Sequence, residues 1–307
     1  MNPRYRGWLL LLIVVAVCGT SIWAAAWYRA RPITTGMLLK RMPQQDSVIL
    51  YIDFAELRSA GILQMLEGTK AGEDPDYQNF AQKINFDYRE DLDSALVSFA
   101  PAGKYMMVKG RFDWKSLRTY AIEGGGNCLR AVCRMAGSTP ERRISFFPLQ
   151  SGLMALAVSR DDAAVTDLTV NPSGPPADVP NAPIWLLIPG TLLKSEENLP
   201  SGTKMFARGM DKADRLTLSF APEGSHLAAK LEVRCRTNED AVMVASQLSS
   251  ATLTLRQMIE REHQKPSPSD LSGVLVSGTF RSQGTTVIGY WPVDRAFVET
   301  ILGGGLS

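Results

Sequence analysis

The chain has 307 residues, 45% hydrophobic and 21% charged, a balance that excludes a disordered polypeptide and allows one large domain or two ordinary ones. Its formal net charge of +2 is unevenly placed: residues 1–31 hold Arg4, Arg6, Arg29 and Arg31 and no acid, while the rest carries 29 basic and 31 acidic side chains. A near-neutral body without basic clusters excludes nucleic acid as a partner, because phosphate binding needs such clusters to release counterions.

The first element is apolar. From Gly7 to Tyr28 there are 22 residues without a charge. As a helix this run is about 33 Å long, enough to cross a hydrocarbon core of about 30 Å. Trp8 stands at one end and Trp23, Trp27 and Tyr28 at the other, where amphipathic rings favour the membrane interfaces. The expectation is a retained single-pass anchor in the inner membrane: residues 1–6 cytoplasmic, 7–28 transmembrane, and the bulk periplasmic. A cleaved signal peptide with Ala24–Ala26 as its small-residue site is one alternative, and lipidation through Cys18 is another.

Two similar halves are expected beyond the anchor, 33–170 and 184–302, joined by residues 171–183, where five prolines stiffen the connection. A disordered tail is expected at 303–307. In the first half Val48–Asp53 is a continuous apolar strand, followed by a helix over Ala55–Leu66. Ala95–Ala100 and Tyr105–Arg111 make a hairpin around Pro101-Ala102-Gly103. Asp113 caps a helix whose apolar side is Trp114, Leu117, Tyr120 and Ala121. Ile144–Leu149 and Leu153–Val158 make a second hairpin, with Ser159 capping the helix after it. In the second half a long helix runs from about Glu239 to Glu262, capped by Asn238 or Thr237, and Pro266 and Pro268 follow it.

The halves share motifs in register. Ser98-Phe99-Ala100-Pro101 recurs as Ser219-Phe220-Ala221-Pro222; Val48–Asp53 has a counterpart in Ile184–Pro189, and Gly152–Ser159 in Thr286–Pro292. Three matches in order point to an internal duplication. Hairpins alternating with helices give an α+β class, two antiparallel sheet-plus-helix halves with helices on one face.

Cys128 and Cys133 flank a short turn, and in an oxidising compartment they can close a small hairpin as a disulfide; two buried free thiols are the alternative. Their spacing is not that of a zinc ribbon or a C-x-x-C redox motif.

Motifs for chemistry are sparse. There are two histidines: His226 in a strand, set against Tyr105 of the first half, and His263 at the end of the long helix. The acids Asp87, Glu90, Asp91 and Asp93 could hold calcium but miss the EF-hand spacing, so a solvated turn is expected. Asp53 is read as a helix cap rather than an acid or base. Gly124–Gly126 ends a helix and is no phosphate cradle. Met106, Met107, Phe146, Phe147 and Met154 are read as core, with a lipid pocket as the alternative. No catalytic, metal or cofactor residue is assigned.

The stretch Leu39–Asp53, with Met42-Pro43 ahead of a hydrophobic strand ending in Asp, resembles the opening of bacterial envelope proteins in domain-of-unknown-function families. The runs Phe86–Asp93 and Ala213–Ser219 are similar to motifs in the same proteins. The resemblance implies a membrane-anchored envelope location and a similar architecture, and it transfers no active site. The expected function is therefore a non-enzymatic binding or scaffold module for a protein or an apolar ligand. The alternatives are a periplasmic lipid or lipoprotein carrier with an apolar cavity, and a carboxylate-dependent hydrolase using Asp53 or the Asp87–Asp93 group.

Overall fold

The computed structural model describes residues 20, 33–63, 75–137, 139, 141–170, 172–193, 206–223, 226–262, 266–267, 270–294 and 297. Apart from Thr20, the run 7–28 with Trp8, Trp23, Trp27 and Tyr28 lies outside the described residues, as do Cys18, the tail 303–307 and His263. Among the described residues no helix is long and apolar enough to cross a membrane.

In chain order the elements are α1 (Thr35–Arg41), β1 (Val48–Asp53), α2 (Phe54–Ser59), α3 (Pro75–Ile84), α4 (Tyr88–Asp91), β2 (Leu92–Ala100), β3 (Gly103–Gly110) and α5 (Trp114–Glu123). Next come β4 (Asn127–Leu129), β5 (Val132–Ala136), β6 (Arg143–Gln150), β7 (Leu153–Ser159) and a 3-10 helix (Ala164–Thr169). The second half holds β8 (Ile184–Pro189), α6 (Gly190–Leu193), β9 (Ala213–Glu223), β10 (His226–Cys235), α7 (Asn238–Arg261), α8 (Leu271–Val276), β11 (Thr279–Gln283) and β12 (Thr286–Val293). This is a mixed helix and strand fold around a large antiparallel sheet.

Among the described residues twelve strands join one sheet, ordered β11-β12-β10-β9-β8-β1-β2-β3-β7-β6-β5-β4. Read outward from the central β1–β8 seam, the order β1-β2-β3-β7-β6 on one side matches β8-β9-β10-β12-β11 on the other. At the seam Leu50 faces Leu186, Ile49 faces Leu187 and Tyr51 faces Trp185. Val48 faces Phe99 and Ile49 faces Ser98, just as Ile184 faces Phe220 and Trp185 faces Ser219. The two Ser-Phe-Ala-Pro segments thus hold equivalent ladder positions. Ser98 faces Tyr105 and Ser219 faces Lys230, so by ladder position Tyr105 corresponds to Lys230 rather than to His226.

The helices begin where small polar side chains cap them. Asp53 accepts from the Glu56 amide at 2.8 Å, Asp113 from Lys115 and Ser116, and Thr237 from Asp240. Two helices depart from expectation. α2 ends at Ser59 rather than Leu66, and Gly61 just beyond it adopts φ 71°, a left-handed conformation that closes the helix. After Ser159 the chain forms a 3-10 helix that begins only at Ala164; the Ser159 hydroxyl instead accepts from the Asp161 amide and donates to the Ala102 carbonyl at 2.8 Å.

Cross-strand pairing sorts the side chains by face. The row Met154, Val108, Ala95, Ile52, Ile184, Phe220, Ala229, Trp291 crosses eight strands on one side. Over its first end α5 adds Leu117 and Ala121 to a core with Phe146, Met154 and Val108. Over the other end α7 adds Ala241, Val244, Ala245 and Leu248 to a core with Leu216, Leu231, Val233 and Val287. The opposite face is built unequally, which differs from the expected single helical face. In the first half it is apolar (Tyr105, Met107, Ala155, Ala157) and is packed against α1 and the 3-10 helix. In the second half the same face carries Arg215, Lys230, Glu232 and Arg234, all exposed, as in an antiparallel sheet with one side in water.

The proline-rich segment lies against α1. Lys40 donates to the carbonyls of Ser173 and Pro175 at 2.8 and 2.7 Å, Ala177 to Gly36, and the Asp53 amide to the Pro183 carbonyl at 2.7 Å. A side chain at Gly36 would collide with the Ala177 backbone, so glycine is needed for this close approach.

Candidate functional site

The residues singled out in the sequence are scattered by the fold. Cys128 and Cys133 form a disulfide across the β4–β5 hairpin. Asp53 caps α2 and accepts a hydrogen bond from the Tyr51 hydroxyl at 3.0 Å. Asp87 caps α4 and binds Arg89 at 2.8 Å, while Asp91 pairs with Arg111 at 3.0 Å. The Arg89 hydrogen bond, against a smaller opposing effect of burial, holds the Asp87 carboxyl below its ordinary value. Its contribution to stability is therefore present above the unfolded-state carboxylate value and is lost as pH falls through the depressed one. Among the described residues no cluster of His, Cys, Asp and Glu is arranged to hold a metal. His226 lies at the start of β10, opposite Glu223.

Cys235 is a buried free thiol whose pKa is raised, first by burial and then by Asp240 and Asp214. Alkylation mapped by mass spectrometry is expected to modify Cys235 only after unfolding, and Cys128 and Cys133 only after reduction. Rapid native labelling of Cys128 or Cys133 would contradict the pairing.

The methionine and phenylalanine stripe is mostly core: Met107, Phe146, Phe147 and Met154 are buried, and Met106 alone remains partly exposed. A different apolar surface is only partly covered among the described residues. On the helical face, between the α5 and α7 layers, β2 presents Ala95, Val97 and Phe99, and β1 presents Val48, Leu50 and Ile52. Across the seam β8 presents Ile184 and Leu186, and β9 presents Leu218 and Phe220. All ten are partly or well exposed, Phe99 at 41%. Val48, Leu50, Ile52, Ala95, Val97, Phe99, Ile184 and Leu186 join none of the three buried cores. At strand spacings of ~4.8 Å and ~3.3 Å per residue, this floor measures about 14 Å by 13 Å. It is centred on Leu50 and Leu186.

One corner of the floor opens into a groove of ≈ 1080 Å³ lined by Phe99, Lys104, Met106, Arg142, Val158 and Arg160, among others. A tight turn, Pro101-Ala102-Gly103, forms part of its lining. Gly103, at φ 152°, starts β3 so close to β7 that a Cβ would lie 2.6 Å from the Val158 carbonyl. The Ser159 hydroxyl, bonded to the Ala102 carbonyl, pins that turn.

Sequence reasoning had the strands of this floor but not the floor itself. The signal was there in Val48–Asp53 and Ile184–Pro189, both continuously apolar rather than alternating, and such runs place apolar side chains on both faces of a sheet.

No protein-family model and no curated protein matches the chain. Among solved structures it is similar to crystal form III of TP0453, at 9% identity and a TM-score of 0.50, over 90% of this chain and 99% of that one. Crystal form I of TP0453 gives 11% identity and 0.46, covering 91% of this chain and 100% of that one. The likeness is one of fold alone.

Proposed function

We propose that the chain is a membrane-anchored extracytoplasmic binding protein that holds the acyl chain of an amphiphile on its central apolar floor. The observation that carries the reading is the block of ten apolar side chains on the helical face, nine partly exposed and Phe99 exposed, eight of which join no buried core. Small-molecule sites are clefts lined mostly by apolar side chains with a few polar groups that orient the ligand, and the floor with its corner groove has that make-up. At about 0.8 kcal/mol per buried methylene, covering six methylenes contributes about 5 kcal/mol, the scale of submillimolar affinity. Asp53, Asp87 and Asp91 are engaged in caps and ion pairs and do not support the hydrolase alternative.

The address rests on other grounds. The 22 uncharged residues from Gly7 to Tyr28, flanked by arginines and aromatic rings, support a retained anchor. The Cys128–Cys133 bond supports an oxidising compartment. A tandem duplication underlies the architecture in this reading, supported by the shared strand order and by the matching ladder positions of Ser98–Pro101 and Ser219–Pro222. The seam then resembles a two-fold dimer contact fused into one chain.

Photolabelling tests the binding reading. Membranes containing the full chain are treated with palmitate carrying a terminal diazirine, irradiated, and mapped by mass spectrometry. Label is expected in peptides of β1, β2, β8 and β9. Label confined to residues 7–28 would overturn it.

A further inference from the structure

The groove at the corner of the floor assigns the other end of the ligand, and this rests on the acyl-chain reading above. We propose that Lys104 and Arg142, with Arg160, form a headgroup site for an anionic group, a carboxylate or phosphate, so that the ligand is an anionic rather than a neutral amphiphile.

The argument begins with charge. The lining of the groove holds three cations, Lys104, Arg142 and Arg160, against one carboxylate, Glu141. Lys104 and Arg142 make no ion pair among the described residues. Arg160 meets Glu141 at 3.3 Å, but both side chains are largely exposed, 84% and 75%. An ion pair so open to water contributes little, so Arg160 is free to exchange Glu141 for a ligand anion.

Position gives the second argument. The Lys104 ammonium lies 5.8 Å from the centroid of the Phe99 ring, and the two residues face each other across β2 and β3. Phe99 is also the outermost residue of the apolar floor, next to Val97 along β2 and opposite Val48 on β1. The boundary between grease and charge therefore falls between Phe99 and Lys104. An acid group held by Lys104 and Arg142 would send its chain over Phe99 and along Val97, Leu50 and Leu186. A neutral head would leave those cations without counter-charge in the complex.

The test extends the photolabelling to three probes of equal chain length with a terminal diazirine: palmitate, hexadecyl phosphate and hexadecanol. Each is applied to membranes holding the full chain or its Lys104→Gln, Arg142→Gln double variant, with label in β1 and β2 as the readout. Both anionic probes are expected to label these strands at about one-tenth the concentration that hexadecanol requires. The double variant should lose that preference while its hexadecanol labelling is unchanged. A preference for only one anion would identify the head as carboxylate or phosphate within the same site. Equal labelling by all three probes, or a preference that survives in the double variant, would overturn the headgroup site and leave the acyl floor standing. Absence of label from every probe would overturn the floor and the headgroup site together.

Discussion

Replacing Trp185 with alanine is expected to lower the stability of the folded chain by about 3–5 kcal/mol, the usual cost of emptying a large buried aromatic position. Trp185 is fully buried in β8, on the face opposite the apolar floor, and stacks on Tyr51 of β1 at 5.2 Å and 21°. Its neighbours include Ile49 and Leu187, so the cavity would open at the joint between the two halves. Because that joint is where the seven strands of the first half meet the five of the second, the loss should be felt in both. A single cooperative melt, shifted to lower temperature, is the expected calorimetric result. Two separated melts, with only one of them moved, would mean that the seam does not couple the halves.

The second large effect concerns binding. Leu186→Lys places an ammonium at the centre of the apolar floor, opposite Leu50. The leucine is partly exposed and belongs to no buried core, so the lysine stem can lie along the sheet and carry its charge to water with little cost in stability. An acyl chain crossing that point would have to desolvate the charge. Palmitate binding is expected to weaken at least about tenfold, ~1.4 kcal/mol or more, with the melting temperature nearly unchanged. Val233→Lys is the contrasting change: Val233 is fully buried under α7, and the same charge there should destabilise the whole folded chain.

The local structure was legible because it is dictated locally. Asp53, Asp113 and Thr237 are short polar side chains ahead of apolar-periodic segments, and each caps its helix. The long helix expected at Glu239–Glu262 is Asn238–Arg261. The cysteine pair sits directly across its hairpin. Where expectation missed, a non-local contact or a backbone conformation decided. Gly61 ended α2 early by taking a left-handed conformation that the apolar pattern around it does not announce. The fusion of two expected sheets into one depends on β1 and β8 finding each other over more than 130 residues, and nothing in either strand alone names its neighbour. The covering of one face by α1 and the 3-10 helix was hidden for a similar reason. Tyr105 and Met107 read as ordinary strand residues until the elements that pack on them are known. The floor could be seen only once the β1–β8 seam had set Leu50 and Ile52 beside Leu186 and Ile184, with no helix of the buried cores above them.

The claim that the central floor receives an acyl chain is tested most directly by a crystal structure of the full chain grown with palmitate. The account predicts continuous density for the chain against Val97, Leu50 and Leu186, with the carboxylate beside Lys104 and Arg142. Protein side chains filling that space, with palmitate absent or bound elsewhere, would contradict it.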